Sequence, residues 1–434
     1  FAYYQRLVQS PWRAAALAGL VGVGVAMAVW VRVTAPRLAW LGLGLSVALP
    51  AMALVTAYGR RLALAATGVL IIWLGIALEL PAVTLGALAL VAGIAAWRLV
   101  EIRSRGDVVR ATLWVAGSAA AGAVLAGLVT RPAMDGMLRE IALGGFFAGV
   151  GAFAAGSLTM FLMPTIERVF DVTTGMTLGE LRDPKQPLLR KLQQRAPGTY
   201  NHSLNVATIA ESAARAIGAD ALHLYVGALY HDVGKLSKPE YFVENQPRGL
   251  NKHDKLSPAM SLLVIMGHVK DGIELAREYG LPRSLHHYIE SHHGETLVSY
   301  FYHQAKLAAA SSDTEGPSEI EYRYPGPKPR TKEAAILMLC DAVEGATRAM
   351  SEPTSSRIAA LVHEMAMARL HDGQFDECEL TFAELHRIES AITKSLSSIF
   401  HGRIAEPAGT KKQTPRVLPS SGPASPQHTP AQPH

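Results

Sequence analysis

The sequence predicts an all-α protein in two parts: a polytopic transmembrane bundle of six helices, then a soluble all-helical domain. Three observations predict it. Residues 1–163 contain six consecutive stretches without charge, each near the length of a bilayer crossing. Apolar residues in 198–404 recur at helical spacing. Nowhere do apolar and polar residues alternate over any length, as in a half-buried strand.

Charge divides the chain in the same place. Of 434 residues, 49% are hydrophobic and 18% charged, against about 25% charged in an ordinary soluble domain. Mean hydropathy is +0.17. Residues 1–163 hold twelve Arg, no Lys, no His and five acids, a net charge of +7. Residues 164–434 have a net charge of −2 and all sixteen His. Because the positive excess lies in the apolar part, a domain that binds a nucleic acid polymer is not expected. Two cysteines, Cys340 and Cys378, exclude a disulfide scaffold and a Cys-rich metal site. The chain opens on Phe1, so a fragment or processed form is expected, and no signal-peptide pattern is visible.

The uncharged stretches number 18 residues between Arg13 and Arg32, 22 between Arg37 and Arg60, and 17 between Arg61 and Glu79. They continue with 18 between Glu79 and Arg98, 20 between Arg110 and Arg131, and 26 between Glu140 and Glu167. A crossing needs roughly 17–25 residues. Six spans put both ends on one side. That side holds Arg6, Arg13, Arg60, Arg61, Arg98, Arg103, Arg105 and Arg110; the other holds Arg32, Arg37, Arg131 and Arg139. The excess of Arg predicts a cytoplasmic N-terminus and soluble domain. No ionisable residue falls in mid-span, and Glu79 sits beside Pro81 at a hairpin, so an ion path is not expected. Gly145 and Gly149 in GFFAG are a candidate packing face, although so Gly-rich a segment yields such spacings by chance.

Residues 164–197 read as a polar connector, broken at Pro184, Pro187 and Pro197. Helices are expected over 203–217, ended by Gly218, and from Asp220 as N-cap to Gly234. Others are expected near 257–279, 283–293, 331–351, 355–371 and 381–400, with 311–330 a loop. Residues 405–434 read as a disordered Pro/Ser-rich tail.

His is both a metal ligand and the side chain that titrates near neutrality. His202 begins one predicted helix, His231 and Asp232 end the next, His268 lies late in a third, and His292 and His293 end a fourth. Asp341 lies inside AAILMLCDAVEGA, where an isolated carboxylate would be costly without a cation. Nitrogen and oxygen donors without thiolate suit Mn, Fe or Zn. Seven donors exceed one tetrahedral ion and suit two ions with a bridging carboxylate, a recurrent device for phosphoester hydrolysis. The doublet His286–His287 competes with His292–His293 by spacing.

The stretches APGTYNHSL, GALYHDVGK, PEYFVENQ, NKHDKLSP, HVKDGIELAREYGLP, ESHHGETLVSYFYHQA and YPGPKPRTKEAAILMLCDAVEGATR carry a resemblance. In that order they resemble the cytoplasmic HD hydrolase domain of the seven-transmembrane HD receptors. The resemblance implies an HD domain over 198–404 after a membrane domain over 1–163, in a multi-pass protein of the bacterial inner membrane. It also implies that the chain lacks the family's extracellular sensor and first span. It assigns His202, His231, Asp232 and Asp341 to one metal ion and His268, His292 and His293 to a second. Asp232 would bridge the two ions, with Mn²⁺ or Fe²⁺ as the expected metals. Lys235 would stabilise phosphate charge beside catalytic Asp232. Tyr300, Phe301 and Tyr302 would either stack on adenine or pack in the core. The neighbouring HD-GYP enzymes act on cyclic di-GMP and carry Gly-Tyr-Pro after the His doublet; this sequence reads HHGETLVSYFYHQAK there. The resemblance thus implies hydrolysis of cyclic di-AMP to linear pApA. A non-catalytic nucleotide sensor, or a phosphodiesterase for another cyclic dinucleotide such as cyclic di-GMP, is the alternative. A homodimer is left open.

Overall fold

The structure, a computed structural model, describes residues 11–99, 102, 104–247, 251–311 and 315–401. The tail read over 405–434, and Arg6 and Arg103 of the charge count, lie outside the described residues. Among the described residues there is no strand, only an isolated bridge between Leu297 and Arg323. The all-α expectation holds.

Six apolar helices come first: α1 (Pro11–Thr34), α2 (Ala39–Tyr58), α3 (Arg60–Leu78), α4 (Ala82–Arg98), α5 (Arg105–Thr130) and α6 (Met137–Phe170). Five of them are long and apolar enough to cross a membrane, and α4, at 17 residues, stands at the lower edge of the usual range. The chain is a membrane protein. Helix α2 is the inner helix of the bundle, its Val47, Ala51, Met52 and Leu54 fully buried. It packs closely on α6 because both present glycine: a Cβ on Gly44 would come 2.6 Å from the Ala148 carbonyl oxygen. Gly145 of GFFAG does face a neighbour, since a Cβ there would meet Val124 of α5 at 2.7 Å.

At 34 residues α6 is about 51 Å long, well beyond the roughly 30 Å of hydrocarbon, and it runs through Pro164 into the soluble domain. Its end is tied on both sides. Asp171, in the left-handed conformation, accepts a 2.8 Å bond from Arg13 of α1. Glu167 accepts from the Thr174 amide at 2.8 Å and the Thr177 hydroxyl. The connector is more structured than expected. It forms α7 (Gly175–Leu181) and α8 (Pro187–Arg195), and its prolines start helices, Pro187 opening α8 and Pro197 opening α9. Leu178, Leu188, Leu189 and Leu192 then join the core of the soluble domain.

That core lies among α8, α9 (Pro197–Ile217), α10 (Ala221–Tyr230), α12 (Arg283–Ser291), α14 (Lys332–Ala349), α15 (Ser355–His371) and α16 (Phe382–His401). Helix α11 (Pro258–Glu278) flanks it, and α13 (Ser299–Ser311) lies outside, with no buried residue. Gly218 ends α9 in the left-handed conformation, and Asp220 caps α10 by accepting from the His223 amide, both as expected. Two elements differ. Helix α10 stops at Tyr230, and Val233–Ser237 tighten into a 3-10 turn. That turn presses on α11, where the absent side chain of Gly234 makes room for the His268 backbone. Helix α13 was not expected, because its small, exposed Ala-rich face shows no core-facing stripe.

Candidate metal centre

All seven predicted ligand residues converge. His202 stands in the second turn of α9; His231 and Asp232 follow the last residue of α10; Asp341 lies midway along α14. These four form one group of donor atoms mutually within 4.8 Å, and His268, His292 and His293 form a second. His231, Asp232, His268 and His292 are buried.

Asp232 joins the groups. Its Oδ2 lies 3.3 Å from His231 Nε2 and 3.6 Å from His202 Nε2. Its Oδ1 lies 3.4 Å from His268 Nε2 and 3.7 Å from His292 Nε2. Asp341 also spans the groups: Oδ1 is 2.9 Å from His202 Nε2, and Oδ2 is 3.8 Å from His293 Nδ1.

The far nitrogen of each ring is held so that Nε2 points inward. His231 Nδ1 donates to the Ala228 carbonyl at 2.7 Å, His268 Nδ1 to Ile265, and His292 Nδ1 to Ile289 at 2.8 Å. Each acceptor lies three residues back on the same helix, so the helices themselves fix the tautomer. His202 Nδ1 pairs instead with Glu344 Oε2 at 2.5 Å, and Asn205 donates to the other Glu344 oxygen at 3.2 Å. His293 departs from the pattern, its ring stacking on Tyr324 at 4.3 Å. Sequence reasoning missed Glu344 and Tyr324. Glu344 carries a legible signal, being an acid one turn after Asp341 in an apolar helix.

The donors fit divalent cations. Asp232 Oδ1 and His231 Nε2 are buried without a hydrogen-bond partner, and Asp232 Oδ2 has the Lys235 ammonium at 2.7 Å but no well-directed hydrogen bond, so the pair keeps donor capacity that a cation would satisfy. Burial opposes protonation of His202, but Asp341 and Glu344 outweigh it and push its pKa up to about 9. Burial acts likewise on His231, and Asp232 and Asp341 push it up to about 10. This carboxylate-rich half demands positive charge. In the other half burial, then the neighbouring His231, pushes His292 down to about 3, so its lone pair stays available.

Comparison with known proteins agrees with the geometry. The family model described as 7TM receptor with intracellular HD hydrolase matches residues 4–174, and the HD domain model matches residues 199–346. The two parts of the chain thus match, in order, the two parts of a 7TM receptor with an HD hydrolase. It is 44% identical over 285 residues to the cyclic-di-AMP phosphodiesterase PgpH of Bacillus subtilis, covering 66% of this chain and 39% of that protein. It is 43% identical over 261 residues to PgpH of Listeria monocytogenes, covering 60% and 36%. The chain thus spans under half the length of these relatives. Crystal structures of the L. monocytogenes PgpH HD domain, one alone and one in complex with cyclic-di-AMP, align at 43% identity. They cover 50% of this chain and 100% and 99% of theirs, with TM-scores of 0.47 and 0.48.

The Lys235 side chain is 13% exposed. Its Nζ lies 2.7 Å from Asp232 Oδ2 and 3.0 Å from Glu244. Burial disfavours its charge, yet these two acids hold its pKa above the ordinary value. Tyr300, 60% exposed on α13, and Tyr302, whose ring faces Tyr322 at 5.7 Å, show no contact with the ligand groups among the described residues. The competing doublet is elsewhere: His286 pairs with the Leu281 carbonyl, and His287 with Glu290 and the Arg330 amide. Accordingly, His286→Ala should leave metal content unchanged, whereas His292→Ala should lower it toward one ion per chain. Elemental analysis giving the reverse would assign the second position to the wrong doublet.

Proposed function

We propose that this chain is a membrane-anchored, two-metal phosphodiesterase that hydrolyses cyclic di-AMP to linear pApA on a cytoplasmic HD domain. The observation that carries the reading is the Asp232 carboxylate, with one oxygen turned toward each group of His donors. The 44% and 43% identities to proteins named cyclic-di-AMP phosphodiesterase support the substrate. The excess of Arg on one side of the spans supports the orientation.

Four residues of the carboxylate-rich half (His202, His231, Asp232, Asp341) would hold one divalent cation, and His268, His292 and His293 the other. Mn²⁺ or Fe²⁺ suits this nitrogen and oxygen set. Two such cations supply Lewis acidity toward a phosphodiester and make hydroxide available at neutral pH. Asp232 keeps the two positions together. Lys235 keeps a full positive charge beside them and offsets the negative charge that grows on the phosphate. Tyr300, 60% exposed, has a ring open to stack on a base, whereas Tyr302, two positions on, turns its ring toward Tyr322.

The test is incubation of the purified full chain in detergent with Mn²⁺ and a panel of cyclic dinucleotides, with products resolved by chromatography. The expected result is pApA from cyclic di-AMP, abolished by chelation, and slower turnover in Lys235→Ala at unchanged metal content. Faster cleavage of cyclic di-GMP would overturn the substrate and leave the two-metal chemistry. Binding of cyclic di-AMP without turnover under any metal would replace the enzyme with a sensor.

A further inference from the structure

The outer face of the membrane bundle carries a groove of about 490 Å³ between α4 and α5, lined by Leu90, Ile94, Leu113, Trp114 and Gly117, with Arg110 at its mouth. Most of any span's surface is apolar, so apolar lining alone names no occupant. The mouth does. Arg98 and Arg110 stand at the same end of two antiparallel helices. The Arg98 guanidinium lies 5.3 Å from the ring centre of Trp97 and 5.5 Å from that of Trp114, and its Nε is buried without a hydrogen-bond partner. Arg110 pairs with Asp107 Oδ1, while Asp107 Oδ2 is engaged by the backbone amide and hydroxyl of Ser104. Among the described residues the mouth thus holds two guanidiniums and one carboxylate, Asp107, which Arg110 and Ser104 already engage.

Depth and side fit a lipid. From Arg110 to Gly117 is about 10 Å along α5, and from Arg98 to Leu90 about 12 Å along α4. Both distances fall within one leaflet, about 15 Å of hydrocarbon. Trp97 and Trp114, 64% and 54% exposed, sit at the level where amphipathic rings favour the membrane interface. Arg105, at the start of α5, pairs with Glu180 of α7 at 3.2 Å, so the mouth opens on the side of the HD domain.

The geometry points to a binding site for one anionic glycerophospholipid, its phosphate held by Arg98 and Arg110 and one acyl chain lying in the α4–α5 groove. Arginine offers a planar fork to a phosphate oxygen pair, and desolvation at the interface strengthens that contact. A zwitterionic headgroup would bring its own cation to a mouth that already holds two guanidiniums. The root of the site adjoins Leu99 and Ile102, buried residues that border a cavity shared with Leu178, Arg182 and Ala219 of the soluble part. The bound lipid would thus stand next to the junction between the two parts of the chain. This inference is independent of the catalytic reading.

The experiment uses the full chain, delipidated in detergent and then offered phosphatidylglycerol or phosphatidylcholine, with retained lipid counted by native mass spectrometry. The expected result is one phosphatidylglycerol per chain, kept about tenfold more strongly than phosphatidylcholine. Gly117→Leu should cut retention about tenfold by filling the groove, and Arg110→Gln by a similar factor by removing a phosphate donor. Gly117→Leu is a safe variant, because a Cβ at that position meets nothing within 4 Å. Equal retention of the two lipids overturns the site. Loss in Arg110→Gln with full retention in Gly117→Leu also overturns it, as that is attraction to a charged surface without a groove. A dimer that Gly117→Leu dissociates, at unchanged lipid retention, gives the groove to a second copy of the chain.

Discussion

Asp232→Ala should lower bound metal from two ions toward none and reduce turnover by at least about a thousandfold, the scale on which loss of a strong electrostatic contact in a transition state is felt. The histidines each serve one group of donors, so removing one of them should leave the second ion in place; Asp341 reaches both groups, its second oxygen 3.8 Å from His293. Asp232 serves both, with oxygens 3.3 Å from His231 and 3.4 Å from His268. Without metal the variant should also lose some stability, because Asp232 pairs with Lys235 at 2.7 Å and its removal leaves that ammonium with Glu244 alone. Two measurements check this. Elemental analysis should give two ions in the parent chain and fewer than one in the variant. Thermal unfolding should show the parent gaining stability with Mn²⁺, since a ligand of the folded state raises its stability, while the variant gains none. Retention of one full ion in Asp232→Ala would show that the positions are filled independently and would remove the bridge.

Most of this site could be read from the sequence because its ligands mark the ends of helices. His202 lies in the second turn of α9, five residues after Pro197, while His231 and Asp232 follow the end of α10 and His292 and His293 follow the end of α12, ahead of Gly294. Which doublet belongs to the site was not readable from spacing. His286 and His287 sit on the same helix, and only the packing of α12 turns one pair inward. The partners of the ligands were equally hidden. Tyr324 reaches His293 across a loop 31 residues away in the chain, a contact without local periodicity. Helix α13 escaped for the opposite reason, since it buries no residue and leaves no apolar stripe to recognise. The six apolar helices, five of them long enough to cross a membrane, are the easiest elements to place, because hydrocarbon excludes charge and the intervals between charges give helix lengths directly. The connector is less legible, because proline usually breaks a helix, whereas Pro187 and Pro197 occupy first-turn positions, where a missing amide costs nothing.

Glu344→Ala should weaken metal binding by about 10–100-fold, the range for losing the partner of a metal-ligating histidine, and most of the lost activity should return in excess Mn²⁺. Glu344 is 3% exposed and accepts the His202 Nδ1 proton at 2.5 Å, and Asn205 fixes its other oxygen at 3.2 Å. Burial disfavours its charge, but His202 and then Arg348 outweigh this and hold its carboxyl below the usual range. It therefore stays a carboxylate at neutral pH. An ionised acceptor on Nδ1 fixes the tautomer and makes Nε2 a better donor, and that nitrogen lies 2.9 Å from Asp341 in the first group. The ligand count is untouched in the variant, so the loss should appear as affinity rather than stoichiometry. Metal titration should show two ions still bound at saturation, with the weaker step confined to one of them. Glu344→Gln keeps an acceptor of the same shape without the charge and should fall between the parent and Glu344→Ala. Equal affinity in all three chains would reduce Glu344 to a packing residue. Loss of both ions at saturation would show that it holds α9 against α14, so that the whole centre depends on it.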